Sequence, residues 1–66
     1  MPNAEKLRER MIDLGISQKE LAYKLGIAQP TLSLKINGKR PFYLNEAERI
    51  ALLLEIPDRE FKDYFF

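Results

Sequence analysis

Three glycines, Gly15, Gly26 and Gly38, divide the first part of the chain into short segments. Each glycine follows a stretch whose apolar residues recur every three or four positions, which is the spacing of one face of a helix. A glycine in the left-handed conformation commonly ends a helix at such a position. The intervals fit helices of two to three turns, and no alternating pattern predicts a strand. The chain is therefore expected to be all-α.

The first two helices have clear local signals. The first is predicted over residues 4–14, whose apolar side chains form one stripe. The tetrapeptide SQKE at 17–20 has the pattern of a capping box, in which the Ser17 hydroxyl accepts from the Glu20 amide and the Glu20 carboxylate reaches back. This box predicts the start of the second helix, and Gly26 predicts its end.

The third helix is expected over residues 29–36, with Leu32 and Ile36 on its buried side. Successive helical residues are rotated by about 100°, so Leu34 points about 200° away from Leu32, toward solvent. Ala28 stands at the N-cap, where Ser or Thr would stabilise the helix by about 1 kcal/mol more.

The rest of the chain predicts a loop and two further helices. Residues 37–38 are expected to end the third helix, because no alternating strands flank them as in a hairpin. Residues 39–43 form a loop, Asn45 with Glu48 caps the fourth helix, and Pro57 opens a fifth. The expected architecture is one domain covering the whole chain, a compact bundle of five short helices.

The composition disfavours several classes of function. The chain has 66 residues with no cysteine and no histidine, so it lacks disulfides, thiolate metal ligands and the commonest general base. We therefore expect no enzyme and no metal, and no cofactor or small-molecule ligand is evident from the sequence. No apolar run is long enough to cross a bilayer, and the N-terminus lacks a signal-peptide pattern. These features predict a cytoplasmic protein.

The charges are unevenly distributed along the chain. Residues 17–43 carry five basic side chains and one acidic side chain, a net charge of +4. Residues 44–66 carry three basic and six acidic side chains, a net charge of −3. The middle of the chain therefore suits an anionic partner.

Two features of this basic segment indicate DNA. The second and third helices are joined by a short turn containing a glycine, as in a helix-turn-helix. The outer side of the third helix carries small polar residues, and the basic cluster Lys35, Lys39 and Arg40 lies at and just after its end. A helix of this kind fits the major groove, where Gln pairs with adenine while Lys and Arg hold phosphates.

The chain resembles the helix-turn-helix of the lambda repressor and Cro superfamily, of the xenobiotic-response-element type, over the stretch ISQKELAYKLGIAQPTLSLKINGKR. The matching positions are Ser17-Gln18, Leu21-Ala22, Leu25-Gly26-Ile27, Leu32-Ser33 and Asn37-Gly38-Lys39. The likeness extends over LRERMIDLG, similar to the family's first helix, and EAERIALLLEIPDREF, similar to its fourth helix and closing turn. It implies a small phage or bacterial transcriptional regulator, repressor-like, that binds an operator in double-stranded DNA.

The resemblance also implies roles for individual residues. The positions that face base edges are Gln29, Pro30, Ser33 and Leu34. The positions expected to reach the DNA backbone are Gln18, Thr31, Lys35, Asn37, Lys39 and Arg40. Lys19, next to Gln18, is also expected to approach a phosphate. Gln18 is also expected to brace Gln29. Two residues depart from the family pattern, because Ala28 replaces the usual Ser or Thr and Leu34 stands where a polar or basic side chain is frequent.

The sequence also fits other hypotheses. The small total charge and the apolar pair Pro30 and Leu34 also fit a protein–protein interaction module on the same fold. A homodimer, at least on DNA, is a further hypothesis, since such domains commonly bind two half-sites. In the aromatic C-terminus FKDYFF, Phe61 is expected to close the core, whereas Phe65 and Phe66 either continue that packing or form a small dimer interface. Leu34 neither donates nor accepts a hydrogen bond, so its expected target is a thymine methyl.

Overall fold

The computed structural model describes residues 2–66, and these residues form five α-helices and no β-strand. The helices are α1 (Ala4–Leu14), α2 (Gln18–Leu25), α3 (Gln29–Ile36), α4 (Leu44–Leu53) and α5 (Asp58–Phe65). The all-α prediction is confirmed, as are the predicted bounds of the first and third helices. No helix in this range is long and apolar enough to cross a membrane.

Local capping explains where the first two helices begin and end. The side chains of Asn3 and Ser17 accept hydrogen bonds from backbone amides of the first turns, at 3.1 and 3.0 Å. Gly15 and Gly26 follow these helices with φ of 68° and 74°, in the left-handed region that suits glycine. In residues 2–66, only the Ser17 half of the predicted capping box is formed, without a return bond from Glu20.

The start of α4 differs from the prediction. Its N-cap is Tyr43, and the Glu46 carboxylate accepts a hydrogen bond from the Tyr43 N–H at 2.9 Å. Asn45 and Glu48, expected to cap the helix, are exposed within it. An acidic side chain at the third helical position, rather than an asparagine, therefore satisfies the backbone at this end.

Buried side chains from all five helices form one core. The largest fully buried members are Leu7, Leu21, Leu32, Ile36, Ile50 and Leu54. Burying an aliphatic side chain of this size is worth roughly 1.5–3 kcal/mol. Because Leu32 and Ile36 both lie in this core, they fix the rotation of α3 about its own axis.

The aromatic C-terminus is divided between core and surface. Phe65 is buried and meets Phe42 edge-on, with ring centroids 5.7 Å apart. Phe61 is half-buried, and its ring centroid lies 4.8 Å from that of Phe65. Phe66 is 77% exposed. Most of this segment therefore continues the core, and Phe66 alone of these three phenylalanines faces solvent.

Two arginines each link their own helix to another by binding a backbone carbonyl at the C-terminal end of that helix. Arg10 Nε donates to the Leu54 carbonyl at 2.8 Å, and Arg49 Nη2 donates to the Lys24 carbonyl at 2.9 Å. Carbonyls at a helix C-terminus lack intrahelical donors and carry partial negative charge. These two guanidinium groups therefore stabilise the fold.

Candidate nucleic-acid interface

The turn between α2 and α3 sets the relative direction of the two helices. Gly26 has the left-handed conformation, and the Ile27 N–H donates to the Ala22 carbonyl at 3.1 Å, which closes the end of α2. Ala28 is the N-cap of α3 and provides no side-chain hydrogen bond, as predicted. Pro30 lies in the first turn, where its missing N–H leaves no intrahelical bond unmade. The exposed start of α3 therefore has no side-chain cap.

One face of α3 is turned away from the core. Its residues are Gln29, Pro30 and Leu34, which are exposed, and Thr31 and Ser33, which are half-buried. Leu34 is 42% exposed, whereas Leu32 is 0% exposed. The 200° rotation between these two leucines accounts for the difference. We call this set of five residues the outer face of α3.

The loop that follows α3 places two cations beside the outer face. Lys39 and Arg40 are exposed, and their backbone N–H groups donate to the Leu34 carbonyl at 2.9 and 3.3 Å. Gly38, with φ of 75°, reverses the chain over the helix end. Because both bonds end on Leu34, the backbone of this loop is held against the C-terminal end of the outer face.

Lys35 is an exception among the predicted backbone contacts. Only 4% of the residue is exposed, and its Nζ lies 2.6 and 2.7 Å from the two carboxylate oxygens of Glu46. The ammonium also lies 4.6 Å from the centre of the Tyr43 ring, in a cation–π contact. Lys35 follows Leu32 by three positions, which places it on the buried side of α3. The prediction is corrected on this point, because the Lys35 charge is directed to Glu46 inside the protein.

The surroundings of Glu46 favour its ionised form. Desolvation by burial raises the pKa of this carboxyl, but the hydrogen bonds from Lys35 and the Tyr43 N–H, with the charges of Lys35 and Arg40, act in the opposite direction. The net effect lowers the pKa of Glu46 below its ordinary value of 4.5. Arg40 therefore lies close enough to influence this carboxylate.

Asn37 is engaged with other parts of the protein. Its Nδ2 donates to the Ser33 carbonyl at 2.9 Å, and its Oδ1 accepts from Arg8 Nη2 of α1. These bonds fix the end of α3 and bring Arg8 to the edge of the candidate interface. Sequence reasoning missed Arg8, because Asn37 lies 29 residues away and no local pattern pairs such positions. It also missed the role of Glu46. The available signal was its position three residues after Tyr43, which is the spacing of a capping box.

The first turn of α2 supplies the other two predicted backbone contacts. Gln18 is half-buried at the first position of the helix, and Lys19 is exposed. Among the described residues, no hydrogen bond joins Gln18 to Gln29, so the expected brace between the two helices is not formed.

These helices have the arrangement of a helix-turn-helix whose second helix exposes a polar face beside a basic loop. A family model described as the Cro/C1-type HTH DNA-binding domain matches residues 6–59. The chain belongs to this family. No curated protein and no solved structure gave a significant match. Every residue of the candidate interface lies within the matched range, and the resemblance seen in the sequence is confirmed. Membership in the Cro/C1-type family supports binding to double-stranded DNA, and domains of this family are typically not enzymes.

Proposed function

We propose that this Cro/C1-type domain is a small, repressor-like transcriptional regulator that places α3 in the major groove of a specific DNA sequence. The observation that carries the proposal is the position of Lys39 and Arg40 beside the outer face of α3. A single helix fits the major groove, and cations next to it meet the phosphates that border the groove. The phage or bacterial origin and the cytoplasmic, nucleoid-associated location belong to the same proposal.

We assign base contacts to Gln29, Pro30, Ser33 and Leu34, which lie on the outer face. The Gln29 amide has both a donor and an acceptor, which is the pair that adenine presents in the major groove. Pro30 and Leu34 offer only apolar contact, and the thymine methyl is the apolar group displayed there. The Ser33 hydroxyl donates or accepts, so it discriminates less strongly between bases.

We assign backbone contacts to Gln18, Lys19, Thr31, Asn37, Lys39 and Arg40, and we omit Lys35 because it binds Glu46. The Asn37 amide donates to the Ser33 carbonyl at 2.9 Å and, over a longer distance of 3.5 Å, to the Ser33 hydroxyl, and we propose that a phosphate oxygen replaces this longer bond on binding. Three of the assigned residues are cations. If each neutralises one phosphate, log K should fall with log salt with a slope of about −2.7.

A slope of this size predicts modest affinity for one copy, so we also propose that two copies bind adjacent half-sites. The exposed ring of Phe66 is available for a contact between them. Sedimentation of the protein with and without the selected duplex tests this point. A strict one-to-one complex on that duplex would exclude the dimer.

Selection of sites from random duplexes at two salt concentrations tests the proposed function. We expect enrichment of a defined sequence, an affinity that falls with salt, and half-sites spaced by about one helical turn. Failure to enrich any sequence, together with weak and salt-insensitive binding, would favour the protein–protein interaction module instead.

A further inference from the structure

The Glu46 carboxylate connects the two ends of the loop that follows α3. Its two oxygens accept hydrogen bonds from Lys35 Nζ, in the last turn of α3, at 2.6 and 2.7 Å. Oε1 also accepts from the backbone N–H of Tyr43, the N-cap of α4, at 2.9 Å. The side chains of Lys35 and Glu46 are 5% and 15% exposed, so water competes weakly for these bonds.

The loop closed in this way, residues 37–43, carries two of the three cations assigned to the DNA backbone. A loop with unrestrained ends samples many conformations, and ordering it on binding would oppose affinity. Hydrogen bonds that fix both ends of the loop before DNA binds reduce this entropic cost. The Lys39 and Arg40 amides, which donate to the Leu34 carbonyl, then hold the middle of the loop against the helix end.

We propose that Glu46 is a positioning residue for DNA binding. With Lys35 and Tyr43 it forms a clamp that holds Lys39 and Arg40 where they meet phosphates. The inference rests on the proposed function, because that proposal assigns the loop to DNA. Glu46 itself touches no nucleotide in this role.

Because Glu46 is negatively charged, the effect of removing it on DNA affinity distinguishes the clamp from a simple electrostatic effect. Glu46 is an anion near Arg40, so on charge alone its removal should strengthen binding to a polyanion. If Glu46 positions the loop, its removal should weaken binding even though the protein becomes more positive. The two explanations therefore predict opposite signs for the same variant.

The test compares Glu46→Ala with Glu46→Gln, which change the net charge equally. The glutamine amide keeps one acceptor oxygen for Lys35 or Tyr43, whereas alanine keeps none. Glu48→Gln is the matched control, because Glu48 is an exposed acid on the same helix. Affinity for the duplex selected by the wild type is measured by fluorescence anisotropy over a salt series. Thermal melts followed by circular dichroism give the temperature range in which every variant is folded, and the affinities are measured within it.

We expect Glu46→Ala to bind about tenfold more weakly than the wild type, with Glu46→Gln between them. The slope of log K against log salt should become shallower by about one to two, because the loop cations then meet phosphates only part of the time. Reduced stability alone would not change the slope of a folded protein. Amide hydrogen exchange at Lys39 and Arg40 should accelerate in Glu46→Ala without DNA, and Glu48→Gln should match or exceed the wild-type affinity.

Wild-type or tighter binding by both Glu46 variants, with an unchanged salt slope, would overturn the clamp and leave the proposed function intact. If Glu46→Ala does not fold, the sign of the change in Glu46→Gln decides between the same two explanations. A wild-type protein that binds no duplex would instead overturn the proposed function, and the clamp with it.

Discussion

Replacing Leu34 by alanine tests whether the exposed leucine of α3 reads a base. Leu34 is 42% exposed, so DNA has only this fraction of the residue left to cover. Complete burial of a leucine side chain is worth about 1.5–3 kcal/mol, and the 42% that remains is therefore worth roughly 0.6–1.3 kcal/mol. We expect Leu34→Ala to weaken binding to the selected site by about three- to ninefold.

The thymine side of the contact gives a second magnitude. Replacing thymine by uracil removes one methyl group, worth about 0.8 kcal/mol or about fourfold in affinity. The wild type should show this preference at one position of each half-site, and Leu34→Ala should not. Because the contact is apolar, the preference should be independent of salt. Leu34→Ala keeps the backbone carbonyl that accepts hydrogen bonds from the Lys39 and Arg40 amides, so the loop after α3 stays bound to the helix end.

A double-mutant cycle measures this coupling directly. Wild type and Leu34→Ala are each titrated by fluorescence anisotropy against duplexes with thymine or uracil at every operator position. Leu52→Ala is the matched control, since Leu52 is an 80% exposed leucine on α4, outside the candidate interface. A thymine preference that is equal in wild type and Leu34→Ala at every position would refute the contact. A preference lost equally in the control would refute its assignment to Leu34.

Further predictions separate base contacts, backbone contacts and the core. Gln29→Ala should cost about 1–3 kcal/mol on the selected site and relax one base position, whereas equal losses on selected and random duplexes would exclude a base contact. Lys39→Ala should weaken all duplexes alike and reduce the salt slope by about one, and a titration with unchanged slope would remove it from the backbone contacts. Leu32→Ala, at a position with 0% exposure, should lower the free energy of unfolding in urea by about 2–5 kcal/mol. Because folding lowers the pKa of Glu46, its contribution to stability is complete above the ordinary value of 4.5 and lost as pH falls through the lower folded value. Thermal denaturation from about pH 6 to about pH 3 should show this loss in the wild type and less of it in Glu46→Gln.

The helix bounds could be predicted because their signals are local. A Ser17 hydroxyl that caps α2 and a glycine that ends a helix act on residues within about four positions. The start of α4 escaped this reasoning because Tyr43 has no typical capping side chain and Asn45 does. The actual cap depends on Glu46 alone, whose position is also set by its bonds to α3.

The direction of the outer face of α3 could be predicted as well, since only the spacing of Leu32 and Ile36 is needed to place Leu34 opposite them. The spacing could not give the degree of exposure of the flanking residues. Thr31 and Ser33 are half-buried, and their exposure depends on how neighbouring elements cover the sides of the helix. The sequence therefore predicted which way the candidate interface faces, but not how exposed the residues at its edges are.

Lys35 shows why a contact between distant elements could not be predicted in the same way. Its residue type favours the surface, while its position, three residues after Leu32, favours the buried side of α3. The conflict is resolved only by a partner on another helix, because a buried ammonium without an anion is strongly destabilising. That partner, Glu46, lies 11 residues further along the chain and reaches Lys35 only once the intervening loop has folded back. The Lys35 charge is therefore neutralised by an acid of the next helix, and this pairing removes it from the cations that α3 presents to phosphate.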